Sequence, residues 1–366
     1  MAYAGQPQVL KWYNSDMIEQ LILEKGPITK PELAQITNLS LPTVNKIVDA
    51  LVTEGIVIEH ATQSGSGAGR RAKTYVVDGS SGSLLIVYYL DGKWIGASVN
   101  ILGSILSQME IQTLPDQAAD QMANIYELLD LLMDETEKVK AIGVGIPGVV
   151  LSGGEIVSIP SIPSFEGANL QNMLEEHYHL PVFVENDVKL MTIGYYTKNM
   201  KKLDNIVFFY IGSGIGAGII INGQLYKGNS SFAGEFGYMP SEGRLGENQT
   251  EHSRGSLEAS LMTLRANLQK DPGNTQDREE FYRNIGKALI NCSTVVNPEA
   301  IVLFGNELDN YAVPFLRKEM GRYLPPHSIP DIKLTKNSSY GISGLIRLCL
   351  DGINRKCWLL EAVEGK

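Results

Sequence analysis

Ile206-Val207-Phe208-Phe209-Tyr210-Ile211-Gly212-Ser213-Gly214-Ile215-Gly216-Ala217-Gly218-Ile219-Ile220-Ile221 is the stretch whose reading decides the fold. Its apolar start predicts a buried strand over 206–211, its glycines a loop over 212–218, and its β-branched end a second strand over 219–221. Working upstream, 181–184 reads as a strand that runs into Glu185-Asn186-Asp187, and 141–145 as a buried strand that stops at Pro147-Gly148. Paired strands are predicted over 84–90 and 94–99, and an amphipathic helix over 117–138. Strands and helices alternate through two such units, which predicts an α/β body of two lobes with a cleft between them.

The first 80 residues follow a different pattern. Met17, Ile18, Leu21 and Ile22 recur at helical spacing until Gly26-Pro27 stops them. Thr29 with Glu32 has capping-box spacing, Pro31 lies early in the helix, and Leu33, Ala34 and Ile36 follow. After the turn Thr37-Asn38-Leu39, Ser40 is placed to cap a third helix. There Val44, Ile47, Val48 and Leu51 form an apolar stripe that leaves Pro42, Thr43, Asn45, Lys46 and Asp49 outward. Strands over 56–59 and 74–77 make a two-stranded ribbon, and the Gly/Ser-rich link between them carries Arg70 and Arg71. A three-helix interaction module shares the helical triplet, but the turn, the polar outer face and the Arg-tipped wing in this order predict a winged helix-turn-helix. Ser40, Pro42, Thr43, Asn45, Lys46, Arg70 and Arg71 are the candidate DNA contacts.

Of 366 residues, 43% are hydrophobic and 20% charged, enough to bury large cores. The net charge of −10 is unevenly divided: residues 1–80 hold seven Lys/Arg against eight Asp/Glu, so the acidity belongs to the body. A near-neutral head grips phosphate only if its few cations face one way, so modest affinity helped by dimerisation is expected. No apolar run approaches a membrane span and no basic-then-apolar leader opens the chain, so a cytoplasmic location without membrane contact is expected. Cys292, Cys349 and Cys357 form no CxxC pair and sit among apolar residues, which predicts buried free thiols.

With these motifs in hand, the chain resembles the ROK family of repressors, open reading frames and kinases. The resemblance rests on Gly69-Arg70-Arg71 after the head, Gly143-Val144-Gly145-Ile146-Pro147-Gly148, Glu185-Asn186-Asp187, the glycine run 212–218, Ala233-Gly234-Glu235-Phe236-Gly237 and Asn297-Pro298-Glu299, in family order. It implies an α/β protein of repressor type: a winged helix-turn-helix followed by a two-lobed, actin-like (ribonuclease H-like, sugar-kinase) body. The implied domains are a DNA-binding head over 1–80 and an effector-binding body over 81–366, with a small lobe of about 81–185 plus the C-terminal helix and a large lobe of about 186–345. It also implies a homodimer or homotetramer, operator DNA as partner, and a sugar or sugar phosphate as effector.

The departures from the family pattern carry the functional expectation. Family kinases hold phosphate and magnesium at an Asp-x-Gly-Gly-Thr turn in the first hairpin of the body; here the segment reads Tyr88-Tyr89-Leu90-Asp91-Gly92-Lys93. A backbone phosphate cradle needs glycines that permit close approach. The run 212–218 is kept, either to touch phosphate or as a tight hairpin, and the later glycine pair is only Gly305-Asn306. The resemblance places Asp187 where kinases keep their base, and places Asn186, Asp187, Glu235, Tyr238 and Glu258 at sugar-contact positions. Asp187 and Glu235 could instead merely cap helices. Tyr238 replaces a family histidine, and Gln249, Glu251 and Ser256 replace the cysteines of a zinc segment, leaving His252 alone. No metal, no other cofactor and no catalytic residue are expected. The expected protein is a sugar-responsive regulator, with an active sugar kinase bearing a DNA-binding head as the alternative and a ligand-independent DNA binder as a third reading.

Overall fold

The structure is a computed structural model that describes residues 7–60, 73–90, 92–113, 121–200, 202–240 and 255–364. The head comprises α1 (Pro7–Lys25), β1 (Ile28–Thr29), α2 (Lys30–Thr37), α3 (Leu41–Thr53), β2 (Val57–His60) and β3 (Thr74–Val77). Thr29 caps α2 through the full capping box: Glu32 N donates to Thr29 Oγ1 at 3.3 Å, and Thr29 N donates to Glu32 Oε2 at 2.8 Å. Asn38 ends the helix in the left-handed region, at φ 57°. Ser40 then caps α3, whose Val44, Ile47, Val48 and Leu51 are buried against Ile18, Ile22, Leu33, Val57, Tyr75 and Val77. Removing the α2 cap by Thr29→Ala is expected to cost about 1 kcal/mol. The measurement is amide exchange across 30–37, and unchanged protection would show that the cap contributes nothing.

Two expectations for the head are corrected. The wing is a three-stranded sheet in the order β1-β3-β2, not a two-stranded ribbon, because Ile28 and Thr29 pair with Tyr75 and Thr74. The first helix begins at Pro7, ahead of the residues 15–24 that carry its apolar spacing.

The body opens with β4 (Ser83–Leu90), β5 (Lys93–Asn100), β6 (Ile105–Gln112), α4 (Gln121–Glu135), β7 (Val139–Ile146), the short β8 (Val149–Val150) and β9 (Ile156–Val157), α5 (Leu170–Tyr178) and β10 (Val182–Asn186). Its sheet runs β10-β7-β4-β5-β6, parallel from β10 to β4 and antiparallel from β4 to β6. The near-continuous apolar character of β4 and β7 follows from cover on both faces. Ile125, Leu128, Leu129 and Leu132 of α4 lie on one side, and Leu345 and Cys349 on the other.

The second half comprises α6 (Asp187–Asn199), β11 (Ile206–Ile211), β12 (Ile215–Ile221), β13 (Gln224–Tyr226), α7 (Ser256–Lys270), α8 (Thr275–Val296), β14 (Ala300–Phe304), α9 (Ala312–Met320), β15 (Asp331–Thr335) and α10 (Tyr340–Glu364). Its sheet runs β13-β12-β11-β14-β15. Helix α6 is shared between the halves: Leu190 packs with the first sheet, whereas Met191 and Tyr195 pack on Ile206, Phe208 and Ile220 of the second. Helix α6 and the start of α10 touch backbone to backbone. A Cβ on Gly194 would fall on the Tyr340 carbonyl and 2.9 Å from Gly344 N, and one on Gly344 would fall on the Leu190 carbonyl.

Further differences from the sequence reading concern lengths and glycines. The fourth helix, expected over 117–138, is described over Gln121–Glu135 and ends three residues early, while 117–120 lie outside the described residues. The glycine run is mostly strand: β12 starts at Ile215, so only 212–214 form the turn of a hairpin with β11. Gly216 and Gly218 serve close packing, since a Cβ on Gly216 would lie 3.3 Å from Val188 and one on Gly218 would strike Thr192, both of α6. Cys292 and Cys349 are free and buried, and burial pushes the Cys292 thiol up to about 12. The side chain of Cys357 lies outside the described residues.

Candidate functional site

The parallel strand β10 delivers Glu185, Asn186 and Asp187 to the start of α6. Asn186 is the helix cap: its Oδ1 accepts from Lys189 N at 3.0 Å and its Nδ2 donates to the Gly148 carbonyl at 3.0 Å. Asp187 opens the helix, where exposed amides and the helix dipole favour a carboxylate. Its Oδ1 accepts from Val188 N at 2.8 Å and from Asn186 Nδ2 at 3.1 Å. Asn186 and Asp187 line an open pocket together with Glu235, Tyr210, Ser158 and Ser161. The hairpin residues 213–217 complete the wall.

Three of the five residues named for sugar binding, Asn186, Asp187 and Glu235, therefore meet at one cavity. The other two stand behind it. Tyr238 packs its ring on Phe232, 5.0 Å between centroids. Glu258, in the first turn of α7, accepts from Ile215 N at 3.2 Å and so supports a wall residue. Sequence reasoning missed Ser158, Ser161 and Tyr210, which reach the cavity through folding alone. It also missed Lys189, 1% exposed, although a lysine inside the apolar run 188–191 is a legible anomaly. Its ammonium donates to the Ser231 carbonyl. Glu185, also 1% exposed, pairs with Lys227.

Tyr88, near the end of β4, reaches the start of α6. Its ring is 1% exposed and fills the space above Gly145 and Gly341, where a Cβ on either glycine would overlap it. Its hydroxyl donates to the Asp187 carbonyl at 3.3 Å. The hairpin that follows stays paired through Leu90 and Lys93. The Gly92 carbonyl accepts from Thr113 N at 3.0 Å and Gln112 Nε2 at 3.2 Å. The tip is thus tied to the end of β6.

In the head, Pro42 and Lys46 are exposed and Thr43 and Asn45 half-buried along one side of α3. Ser40 is held by its cap, its hydroxyl 2.8 Å from that of Thr43. Asp49, on the same helix, pairs with Lys30. Arg70 and Arg71 lie outside the described residues, as does 241–254, which holds Gln249, Glu251 and His252. Among the described residues no group of three His, Cys, Asp or Glu is placed to hold a metal ion. Among them, too, no helix is long and apolar enough to cross a membrane.

Comparison with known proteins bears on both halves. Residues 19–58 match the winged helix-turn-helix DNA-binding family, and residues 93–259 match the ROK family. The chain carries a ROK domain behind a winged helix-turn-helix. It is 28% identical over 333 residues to the xylose repressor of Bacillus subtilis (strain 168), covering 82% of this chain and 84% of the relative. It is 24% identical over 355 residues to the DNA-binding transcriptional dual regulator NagC of Escherichia coli (strain K12), covering 86% of each. Among solved structures it resembles a ROK family transcriptional regulator, a homolog of the E. coli MLC protein, with TM-score 0.78 and 21% identity over 97% of this chain and all of that one. A ROK glucokinase from Streptomyces griseus, solved with glucose and AMPPNP, matches at TM-score 0.56 and 21% identity over 74% of this chain and 98% of that one. These neighbours place the α/β body in the two-lobed, actin-like sugar-kinase fold.

Proposed function

We propose that this ROK protein is a cytoplasmic transcriptional repressor whose kinase-like body binds a sugar without phosphorylating it. The observation that carries the reading is Tyr88, whose buried ring occupies the first hairpin where family kinases keep a phosphate-holding turn. The Gly92 carbonyl beside it is engaged by Thr113 N, and the sequence there lacks the glycine pair that lets a backbone approach phosphate closely. Residues 1–80 serve as the head, and 81–366 as the effector-binding body. Asp187 and Glu235 accept hydrogen bonds from sugar hydroxyls, and the same Asp187 that would act as a base in a kinase acts here as a recognition group. Repressor relatives that cover most of the chain support the assignment.

The body reaches the head directly, because Ile101 packs against the head core and Lys138 Nζ donates to the Ser80 carbonyl at 3.0 Å. A sugar that alters the cleft thereby changes the spacing of two heads in a homodimer, or in a homotetramer built from it. Such coupling is worth about 1–3 kcal/mol.

With ATP, magnesium and either xylose or N-acetylglucosamine, the chain is expected to release no sugar-dependent ADP. The second reading, an active kinase with a DNA-binding head, is favoured by Asp187 standing over the glycine hairpin. It would be established by sugar-dependent ADP release that Asp187→Asn abolishes. For the head, Lys46→Ala is expected to weaken binding to all duplexes alike and to lower the salt slope by about one unit. An unchanged slope would place Lys46 away from phosphate.

A further inference from the structure

The segment between β13 and Glu235 is unusual in how it is held. It turns through Gly228, Ser231 and Gly234, all with positive φ, and Ser231 is a non-glycine residue at φ 58°. Its backbone bonds include Ala233 N to the Lys227 carbonyl at 3.1 Å and Glu235 N to the Phe232 carbonyl at 3.3 Å, and the Gly234 carbonyl accepts from Ala217 N at 2.7 Å and from Phe236 N at 2.8 Å. Two side-chain anchors come from the residues that flank Asp187 at two positions either side. Glu185 pairs through Oε2 with Lys227, while its Oε1 accepts from Asn186 N at 2.9 Å. Lys189 donates to the Ser231 carbonyl.

A lysine this buried is costly unless its charge is compensated and its protons are used. Burial pulls its pKa below the usual lysine range and Lys227 acts in the same direction, whereas Glu185, Glu235 and Asp187 hold the ammonium form. A methionine would fill the same space without the desolvation cost. The group is therefore explained by what it holds in place, a loop that has no regular structure between Tyr226 and the short turn at Phe236–Tyr238.

We infer that Lys189, together with the Glu185–Lys227 pair, is a positioning group that fixes loop 227–235 against α6 and so sets the placement of Glu235 relative to Asp187 across the cleft. The inference rests on the reading that this cleft binds sugar, but its mechanical part does not. Supporting groups of this kind decide whether a binding constellation is held tightly enough to work.

The test uses the full-length chain and Lys189→Met, which keeps length and volume and removes the charge and the donors. Without sugar, amide exchange across 227–235 is expected to accelerate about tenfold. With whichever of xylose or N-acetylglucosamine the parent binds more tightly, the dissociation constant is expected to rise about tenfold, a loss worth about 1.4 kcal/mol. Sugar-free affinity for DNA stays at the parent value, a split that a general loss of folding would not produce. If Lys189→Met does not fold, Lys227→Met, at a site whose side chain is 46% exposed, carries the same two expectations at smaller amplitude. Unchanged exchange in the variant that folds overturns the inference whether or not a sugar binds. Faster exchange with unchanged sugar affinity overturns the link to the cleft. Faster exchange in a chain whose parent binds neither sugar upholds the loop anchor and refutes the sugar reading instead.

Discussion

Asp187→Asn is expected to weaken sugar binding by at least about tenfold while leaving sugar-free affinity for DNA unchanged. The carboxylate lies at the start of α6 on the wall of the cavity. The substitution keeps the shape but replaces a charged acceptor pair by one acceptor and one donor. A hydrogen bond to a charged group contributes about 1.5–3 kcal/mol, which corresponds to roughly ten- to 150-fold in affinity. Folding should suffer much less, because the favourable interaction of a carboxylate with a helix start is worth only about 0.3–1 kcal/mol and the cap, Asn186, is untouched. Calorimetric titration of sugar and anisotropy titration of DNA, on parent and variant, separate the two effects. A variant that binds sugar like the parent would remove Asp187 from the site, and one that has lost DNA binding would make the residue structural.

Gly194→Ala is expected to destabilise the body by about 3 kcal/mol, the upper part of the range for overpacking a close contact. The sign opposes helix propensity, which alone would favour alanine by about 1 kcal/mol in mid-helix. Packing wins because the added methyl meets the Tyr340 carbonyl and Gly344 N, backbone atoms that cannot turn away. Helix α6 would have to lift from α10, and α6 carries both Asp187 and Lys189. Thermal unfolding decides the matter. At about 2–4 °C per kcal/mol for a domain of this size, a fall of several degrees is expected. A rise in Tm would show that the crossing has slack.

What the sequence made legible was local. Thr29 with Glu32, and Ser40 ahead of a four-residue apolar stripe, announce their helices because capping and periodicity act within a few residues. The strand Ile206–Ile211 is equally plain from its apolar run. The rest depends on partners distant in the chain. Two residues cannot announce β1, which exists only because Thr74 and Tyr75 offer an edge. Gly216 and Gly218 read as loop glycines, yet they are strand residues that let α6 approach. For the site, the family pattern marked Asn186, Asp187 and Glu235. It gave no sign that Tyr238 would turn to Phe232, or that Ser158, Ser161 and Tyr210 would complete the wall. The departure from the family's Asp-x-Gly-Gly-Thr pattern was visible at Tyr88, but the close fit of its ring over Gly145 and Gly341 is a tertiary fact.

The measurement that tests the account most directly is the affinity of the full-length chain for a duplex it selects from a random-sequence pool, determined with and without saturating sugar. A regulator whose body is coupled to its head should show a change of about five- to 150-fold with xylose or N-acetylglucosamine, the range that matches 1–3 kcal/mol of coupling. Affinity that is the same with and without either sugar, at sugar concentrations shown by calorimetry to fill the cleft, would contradict the account.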